Sequence, residues 1–356
     1  MAYTTINKST DYFDTKTFTG TASSQSITGL NFKPSLVWLK NRDSAYAHSL
    51  FDLHRGTNAR IRTESTNAQD NPSPSALTAF NSNGFTVGAD IGVNQNNENI
   101  VSWNWYAADS MGSSNTDGSL NSYATTVNTT SGFSIISYTG TGSNATIGHG
   151  LGVAPKVIIV KSLSGGGDWT SYHSVLGHTK FMRLNSTNTV GTQSSYWNDT
   201  APTSAVFSIG TAGDVNSNGT TYIAYCFAEK TGYSKFGKYT GDGTSGTNPN
   251  VDGPFIYTGF KPKWILIKHS GGGTAAGEHW NLQDVKRSPN NPSIVMLSPN
   301  QNSAENSTNN NGIDFLSNGF KIRNNDGRLN NSGASYIYMA FGQSLVGTNN
   351  VPCTAR

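Results

Sequence analysis

Histidine is scarce in this chain, seven in 356 residues, and imidazole is the side chain best suited to proton transfer and metal ligation near neutral pH. His48, His173 and His279 follow the prolines Pro34, Pro155 and Pro262 by 14, 18 and 17 residues, which predicts a roughly equivalent position in three copies. No second His or Cys stands at ligand spacing beside any of them, so a hydrogen-bonded structural role is favoured over a metal site. FDLHRG (51–56) and QDVKRS (283–288) share Asp-x-x-Arg, as Asp52/Arg55 and Asp284/Arg287. An exposed Arg in such a pair could clamp a carboxylate or an acidic sugar. A local ion pair fixing a turn is the favoured reading, because the corresponding VLGH (175–178) lacks both groups. Trp169, Tyr172, Tyr196, Trp197 and Trp280 lie in Gly-, Ser- and Asn-rich stretches and are candidate binding loops, able to stack on sugar rings or bury in a partner. Packing over their own domain competes with that role, most strongly for Tyr172 and Trp280.

Catalytic patterns are absent from the sequence. GTGSNATIGHGLG (140–152) lacks the G-x-G-x-x-G spacing, and neither G-x-S-x-G nor H-E-x-x-H occurs. Asp168 beside Trp169 and Glu278 near Trp280 are the only pairings suggestive of a glycosidase acid next to a sugar-stacking ring. Both follow Gly runs that read equally well as loops. The expectation is a non-enzymatic protein with no catalytic residue, no cofactor and no metal.

The elements that must carry these residues are written three times. LNFKPSLVWLK (30–40), LGVAPKVIIVK (151–161) and GFKPKWILIK (259–268) share a turn, a Pro, an apolar run and a Lys. Aromatic-Thr-Gly turns precede them (FTGTA, YTGTG, YTGDG), and FNSNGFTVG, the eroded AVFSIG and FLSNGFKIR follow. Each copy closes on an alternating aromatic strand: NIVSWNWYA, TTYIAYCFA and ASYIYMAFG. From the Pro to the last aromatic of that strand the separations are 71, 72 and 79 residues, so order and spacing both repeat. The near-continuous apolar runs predict central strands starting at the Pro, with the Lys marking emergence into solvent. Asn-Gly in SNGF predicts hairpins. The one short helical piece expected is HSLFDLHRG (48–56).

The fold class expected is all-β, as three tandem β-sandwich, jelly-roll-like repeat domains. The organisation reads as a lead at 1–14, repeat 1 at 15–110, a linker at 111–130, repeat 2 at 131–231, repeat 3 at 232–345 and a tail at 346–356. A tight join near 228–234 suggests that repeats 2 and 3 pack together, and 58–75 and 298–311 read as polar loops without core residues. A formal charge of +3 predicts no nucleic-acid partner. No apolar run is long enough for a membrane helix, so no membrane insertion is expected. Cys226 and Cys353 are not expected to pair, and the start of the sequence lacks a secretory signal pattern, which predicts synthesis in a reducing cytoplasm.

Taken together, YTGTG, the G-x-x-P-anchored strand ending in Lys, the GF turn and the Y-[VI]-A-[WY]-x-F closing strand resemble an uncharacterised tandem β-repeat domain. That domain is common in tail-fibre and virion appendage proteins of tailed bacteriophages, of the marine cyanophage and pelagiphage type. The resemblance spans about residues 15–345 and implies a virion protein made in the host cytoplasm. It implies other virion proteins as partners, attachment to a host-surface glycan or protein, and a homo-oligomer, with a trimer favoured. The lead 1–14 is the candidate for anchoring to the particle. Copy two departs most from the pattern, which argues against any site needing three equal domains. Capsid decoration or a vertex role is the alternative, and glycan depolymerisation a more distant one.

Overall fold

The computed structural model describes residues 4–71, 75–274 and 277–346. Strands hold 39% of the chain and helices 7%, far from the roughly one-third helix of an average globular protein, so the chain is all-β. No described helix is long and apolar enough to cross a membrane.

One strand order recurs three times. Phe13–Thr19, Asn99–Trp105, Leu36–Asn41 and Ser49–Asp52 lie side by side in that order. The same arrangement places Phe133–Thr139, Thr221–Phe227, Val157–Ser162 and Thr170–His173 together, extended outward by Ala124–Asn128, Lys180–Arg183 and Gly191–Thr192 into seven strands. Ser234–Thr240, Ser335–Gln343, Lys261–Gly271 and Asn281–Asp284 repeat it once more. All pairings within these sheets are antiparallel. The Pro-anchored strand therefore sits inside its sheet each time, which is why both of its faces are apolar.

Smaller sheets supply the other wall of each core. Val37, Leu39 and Phe51 pack with Ile27, Leu77, Phe85 and Val87. Ile158, Val160 and Tyr222 pack with Ile147, Phe207 and Ile209. Ile265, Ile267 and Tyr338 pack with Ile256, Phe315, Phe320 and Ile322. The SNGF segments do turn between paired strands (Asn81↔Gly84, Leu316↔Gly319). Their glycines, however, are required by the neighbouring strand: a Cβ on Gly84 or Gly319 would overlap the carbonyl oxygen of Ile27 or Ile256.

Several expectations change. The segment 48–56 is the strand Ser49–Asp52 followed by a turn, because Ser49 to Asp52 pair with the Pro-anchored strand and all four are buried. The presumed linker 111–130 carries the strand Ala124–Asn128, and Leu120 bridges Ile147 in parallel. The loop 58–75 buries Ala59 and Ile61, and Arg60 and Arg62 both bond Asp70. In 298–311, Asn306–Ser307 pairs with Val295–Met296. The lead is not loose, since Ser9 N–H donates to Gln343 Oε1 at 2.6 Å. The described residues of Thr10–Asn185 and Gly191–Ala228 form one compact unit, and those of 1–9, Ser186–Val190 and 229–356 a second. Cys226 is buried and unbonded to another cysteine; Cys353 and all of the tail beyond residue 346 lie outside the described residues.

The three repeat lysines do not reach solvent. Lys40, Lys161 and Lys268 are wholly buried, and their ammonium groups collect backbone carbonyls. Lys40 Nζ donates to Asn41 O at 2.6 Å, Lys161 Nζ to Gly167 O at 2.8 Å and Thr66 O at 3.1 Å, and Lys268 Nζ to Thr187 O at 3.0 Å and His269 O at 3.1 Å. Burial pushes Lys161 and Lys268 down to about 8, against the opposing pull of nearby carboxylates. Below pH 8 both the folded and unfolded states carry the protons and the burial cost is fully present. Between about pH 8 and the unfolded value near 10.4 the unfolded chain holds more protons, so stability rises with pH. Above about pH 10 the trend reverses, because burial holds the Tyr138, Tyr225 and Tyr239 phenols neutral while the unfolded tyrosines ionise. The expected gain is about 1 to 2 kcal/mol per lysine between pH 7 and 10. Thermal melts across that range check it, with the rise reduced in Lys161→Met and Lys268→Met; an unchanged rise in both variants would assign it elsewhere.

Asparagines repeat in the same buried manner. Asn94, Asn216 and Asn330 each end a one-turn helix and are fully buried. Each side-chain oxygen accepts the N–H of Thr21, Thr141 or Asp242 after the aromatic-Thr-Gly turn, at 2.8 to 2.9 Å. Each amide nitrogen donates to the carbonyl of Gly88, Gly210 or Asn324. Their sequence trace is GVNQ, DVNS and RLNN before each closing strand.

Candidate functional site

Strand register decides which of the candidate residues are equivalent. Asp52 faces Leu36, His173 faces Val157 and Asp284 faces Trp264, each four residues before the buried lysine. His48 stands one step beyond the Leu39–Ser49 pair, where Trp169 follows Val160–Thr170 and Trp280 follows Ile267–Asn281. The three histidines thus occupy three different positions. Counting from the prolines fails on two grounds: His48 and His173 stand at different offsets along return strands that start equally far from their prolines, and the third return strand starts later, after a longer connection.

Their roles are correspondingly different. His48 is buried, accepts the Trp38 indole N–H at Nδ1 (2.9 Å) and stacks on Trp103. His173 Nδ1 accepts the Val175 N–H at 3.4 Å. It does there what Asp52 does for His54 N–H and Asp284 for Lys286 N–H, both at 3.0 Å. His279 lies between the side-chain amides of Asn300 and Gln301, at 2.8 and 3.1 Å.

The two Asp-x-x-Arg pairs are buried staples. Arg55 Nε donates to Asp52 Oδ2 at 2.6 Å and Arg287 Nε to Asp284 Oδ2 at 2.6 Å, with all four side chains at most 3% exposed. The guanidinium nitrogens also reach Ala59 O and Leu50 O in the first pair, and Glu305 and Leu282 O in the second. Burial alone would raise the Asp52 carboxyl, but Arg55 and the Tyr225 hydroxyl, which donates at 2.6 Å, hold it below the ordinary range. Neither guanidinium is left to clamp a ligand.

All five candidate binding aromatics are core residues. Trp169 is 0% exposed and Tyr172, Tyr196, Trp197 and Trp280 at most 5%. Trp169 Nε1 donates to Arg62 O at 2.8 Å. Tyr172 meets Trp197 edge to face, and Tyr196 stacks on Phe181 while donating to Asp214 Oδ2 at 3.0 Å. The Gly- and Ser-rich context suggested open loops, yet Thr170–His173 is a strand and Ser194–Trp197 a helical turn. Rings of this size placed on regular elements are drawn inward by the area they bury. Asp168 is tied to Arg183, which accounts for its place beside Trp169.

A concave site lies elsewhere in the larger unit, lined by Arg55 of the first Asp-x-x-Arg pair and by residues that were not among the candidates. The turn after Ser49–Asp52 brings His54 against the strand Phe133–Thr139, and Leu163, Ser164, Thr221 and Tyr222 close the opposite side of a cleft of ≈ 460 Å³. His54 Nε2 is 2.7 Å from Thr126 Oγ1 and Nδ1 is 3.1 Å from Ser137 Oγ. Burial depresses its pKa despite Asp52, which keeps the ring neutral at pH 7. Gln69 enters the wall through its N–H, which donates to Leu163 O at 2.9 Å, while its side-chain Oε1 is buried without a hydrogen-bond partner among the described residues. Tyr123 stands at the cleft 73% exposed. Of these groups, only Tyr123 had a readable signal, as the single aromatic in the polar stretch 111–130.

Among the described residues no group of three or more His, Cys, Asp or Glu side chains could hold a metal ion. A family described as a domain of unknown function, DUF7483, matches the chain over residues 8–344. No curated protein and no solved structure matches it.

Proposed function

We propose, from the premise that the chain belongs to the DUF7483 family, that it is a non-enzymatic bacteriophage virion protein of tail-fibre or appendage type. In this reading three tandem β-sandwich repeats form a scaffold that mediates attachment to the host surface. The observation that carries it is what the three copies share. The strand order, the carbonyl-bound lysine and the turn-tying asparagine recur in each copy, and all are buried scaffold. The cleft, by contrast, draws His54, Ser137, Leu163, Ser164 and Thr221 from positions that differ between the copies, although Thr139 recurs in all three and Arg55, Tyr138 and Tyr222 in two. A protein that multiplies its framework and varies its surface presents contacts, as structural and adhesive proteins do. The partners proposed are other virion proteins and a host-surface glycan or protein, with the chain acting as a homotrimer.

Gold-labelled antibody against the chain, applied to intact virions of the phage that encodes it, is expected to decorate the tail. Labelling of the head would select capsid decoration instead, and particles without the protein would overturn the virion assignment. Purified protein is also expected to reduce phage adsorption to host cells.

A further inference from the structure

We propose that the cleft beside Tyr123 is a binding site for a neutral glycan, seating one or two uncharged sugar rings. This deepens the attachment reading, because it names the class of surface molecule that would be held and where. Four observations converge on it. The cleft's ≈ 460 Å³ falls within the roughly 300–1,000 Å³ of small-molecule sites. Its described lining contains no carboxylate, and its one guanidinium, Arg55, is already spent on Asp52, Ala59 O and Leu50 O. An acidic sugar would therefore enter without a counter-charge, and a cationic ligand would meet no anion.

The polar groups that do line it suit hydroxyls. Gln69 lines the cleft and brings to its wall a side-chain amide, a group that can both donate to and accept from hydroxyls. Thr139, Ser164 and Thr221 add hydroxyls to the same walls, groups that can donate or accept to match an alternating ring of substituents. Finally, the Tyr123 ring is 73% exposed next to this polar concavity. An aromatic plane is the complement of the apolar C–H face of a pyranose, just as the hydroxyls and amide complement its edge. A site with one such face and an otherwise uncharged hydrogen-bonding wall distinguishes sugars from peptides, whose charged side chains and termini would go unpaired.

Titration of the full-length protein with neutral disaccharides (maltose, cellobiose, lactose and mannobiose), read by ligand-observed NMR, tests the proposal. Sialyllactose and adenosine serve as competitors. At least one neutral disaccharide is expected to bind with a dissociation constant of about 1 mM or tighter. Tyr123→Ala and Gln69→Leu should each weaken it about tenfold or more, with melting temperature held because neither residue is in a core. Displacement by sialyllactose or adenosine in preference to the neutral sugars would overturn the proposal, as would equal binding by both variants or no binding by any of the four disaccharides. Particle labelling is read independently. Virion-bound protein that ignores neutral sugars would sink the glycan site alone, and a sugar-binding protein missing from the particle would sink only the virion assignment.

Discussion

Asp52→Ala is expected to destabilise the larger compact unit by about 3 to 5 kcal/mol, the range for removing one partner of a buried ion pair. The Asp52 carboxylate accepts four hydrogen bonds: from Arg55 Nε and the Tyr225 hydroxyl at 2.6 Å each, and from the His54 and Arg55 N–H groups at 3.0 and 3.1 Å. Removing it strands a buried guanidinium and a buried phenol together. Asp284→Ala should act likewise in the other unit, where Arg287 would retain Glu305 as a partner and the loss should be smaller. Asp252 is the internal control. It bonds Lys321 at 2.7 Å, yet its side chain is 80% exposed, so Asp252→Ala should leave the denaturation midpoint close to the parent's. Acid titration should agree. The Asp52 pKa is depressed, so its contribution is complete above the unfolded value and fades as pH falls below about 4. Chemical denaturation of the three variants is the check. An Asp52→Ala midpoint as little changed as that of Asp252→Ala would show the staple to be dispensable.

The Pro-anchored and closing strands were legible because the apolar runs and the Pro positions repeat in step, and the hairpin turns of copies one and three because each carries Asn-Gly. Register was not, because it depends on connection length. Lys268 precedes Trp280 by more residues than Lys161 precedes Trp169, which displaces His279, whereas His48 and His173 follow connections of equal length and stand at different points of the return strand. The burial of the lysines was hidden for another reason. A Lys at a strand end is usually solvated, and here Lys161 is held in part by Thr66 O, 95 residues away, and Lys268 in part by Thr187 O, 81 away, while Lys40 bonds the adjacent Asn41 O. No local pattern encodes carbonyls at that range. The same holds for the cleft, whose walls come from stretches around 54, 69, 123, 137, 163 and 221. Each stretch is unremarkable alone, and only the packing of the sheets in that unit makes them a site.

Trp169→Ala should lower the melting temperature of the same unit by about 10 °C, from a loss of about 3 to 5 kcal/mol for truncating a fully buried indole. The side chain is 0% exposed, and its N–H donates to Arg62 O, so the substitution opens a cavity and strips a carbonyl of its donor. Trp169→Phe separates these effects. It keeps most of the ring and loses the hydrogen bond, which predicts a smaller fall, of about 1 to 3 kcal/mol. The Trp169→Ala and Tyr123→Ala pair then distinguishes scaffold from surface. A buried ring should cost stability, whereas the 73% exposed Tyr123 should cost little stability and act on ligand binding alone. A Trp169→Ala protein that melts like the parent but loses an interaction would return this residue to the role its Gly-rich context suggests. The geometry predicts the opposite: its neighbours are Arg62 O and Asn185, whose Oδ1 accepts the Trp169 N–H at 2.9 Å, and its ring does the work of holding the 62–71 segment against the sheet that carries Thr170–His173.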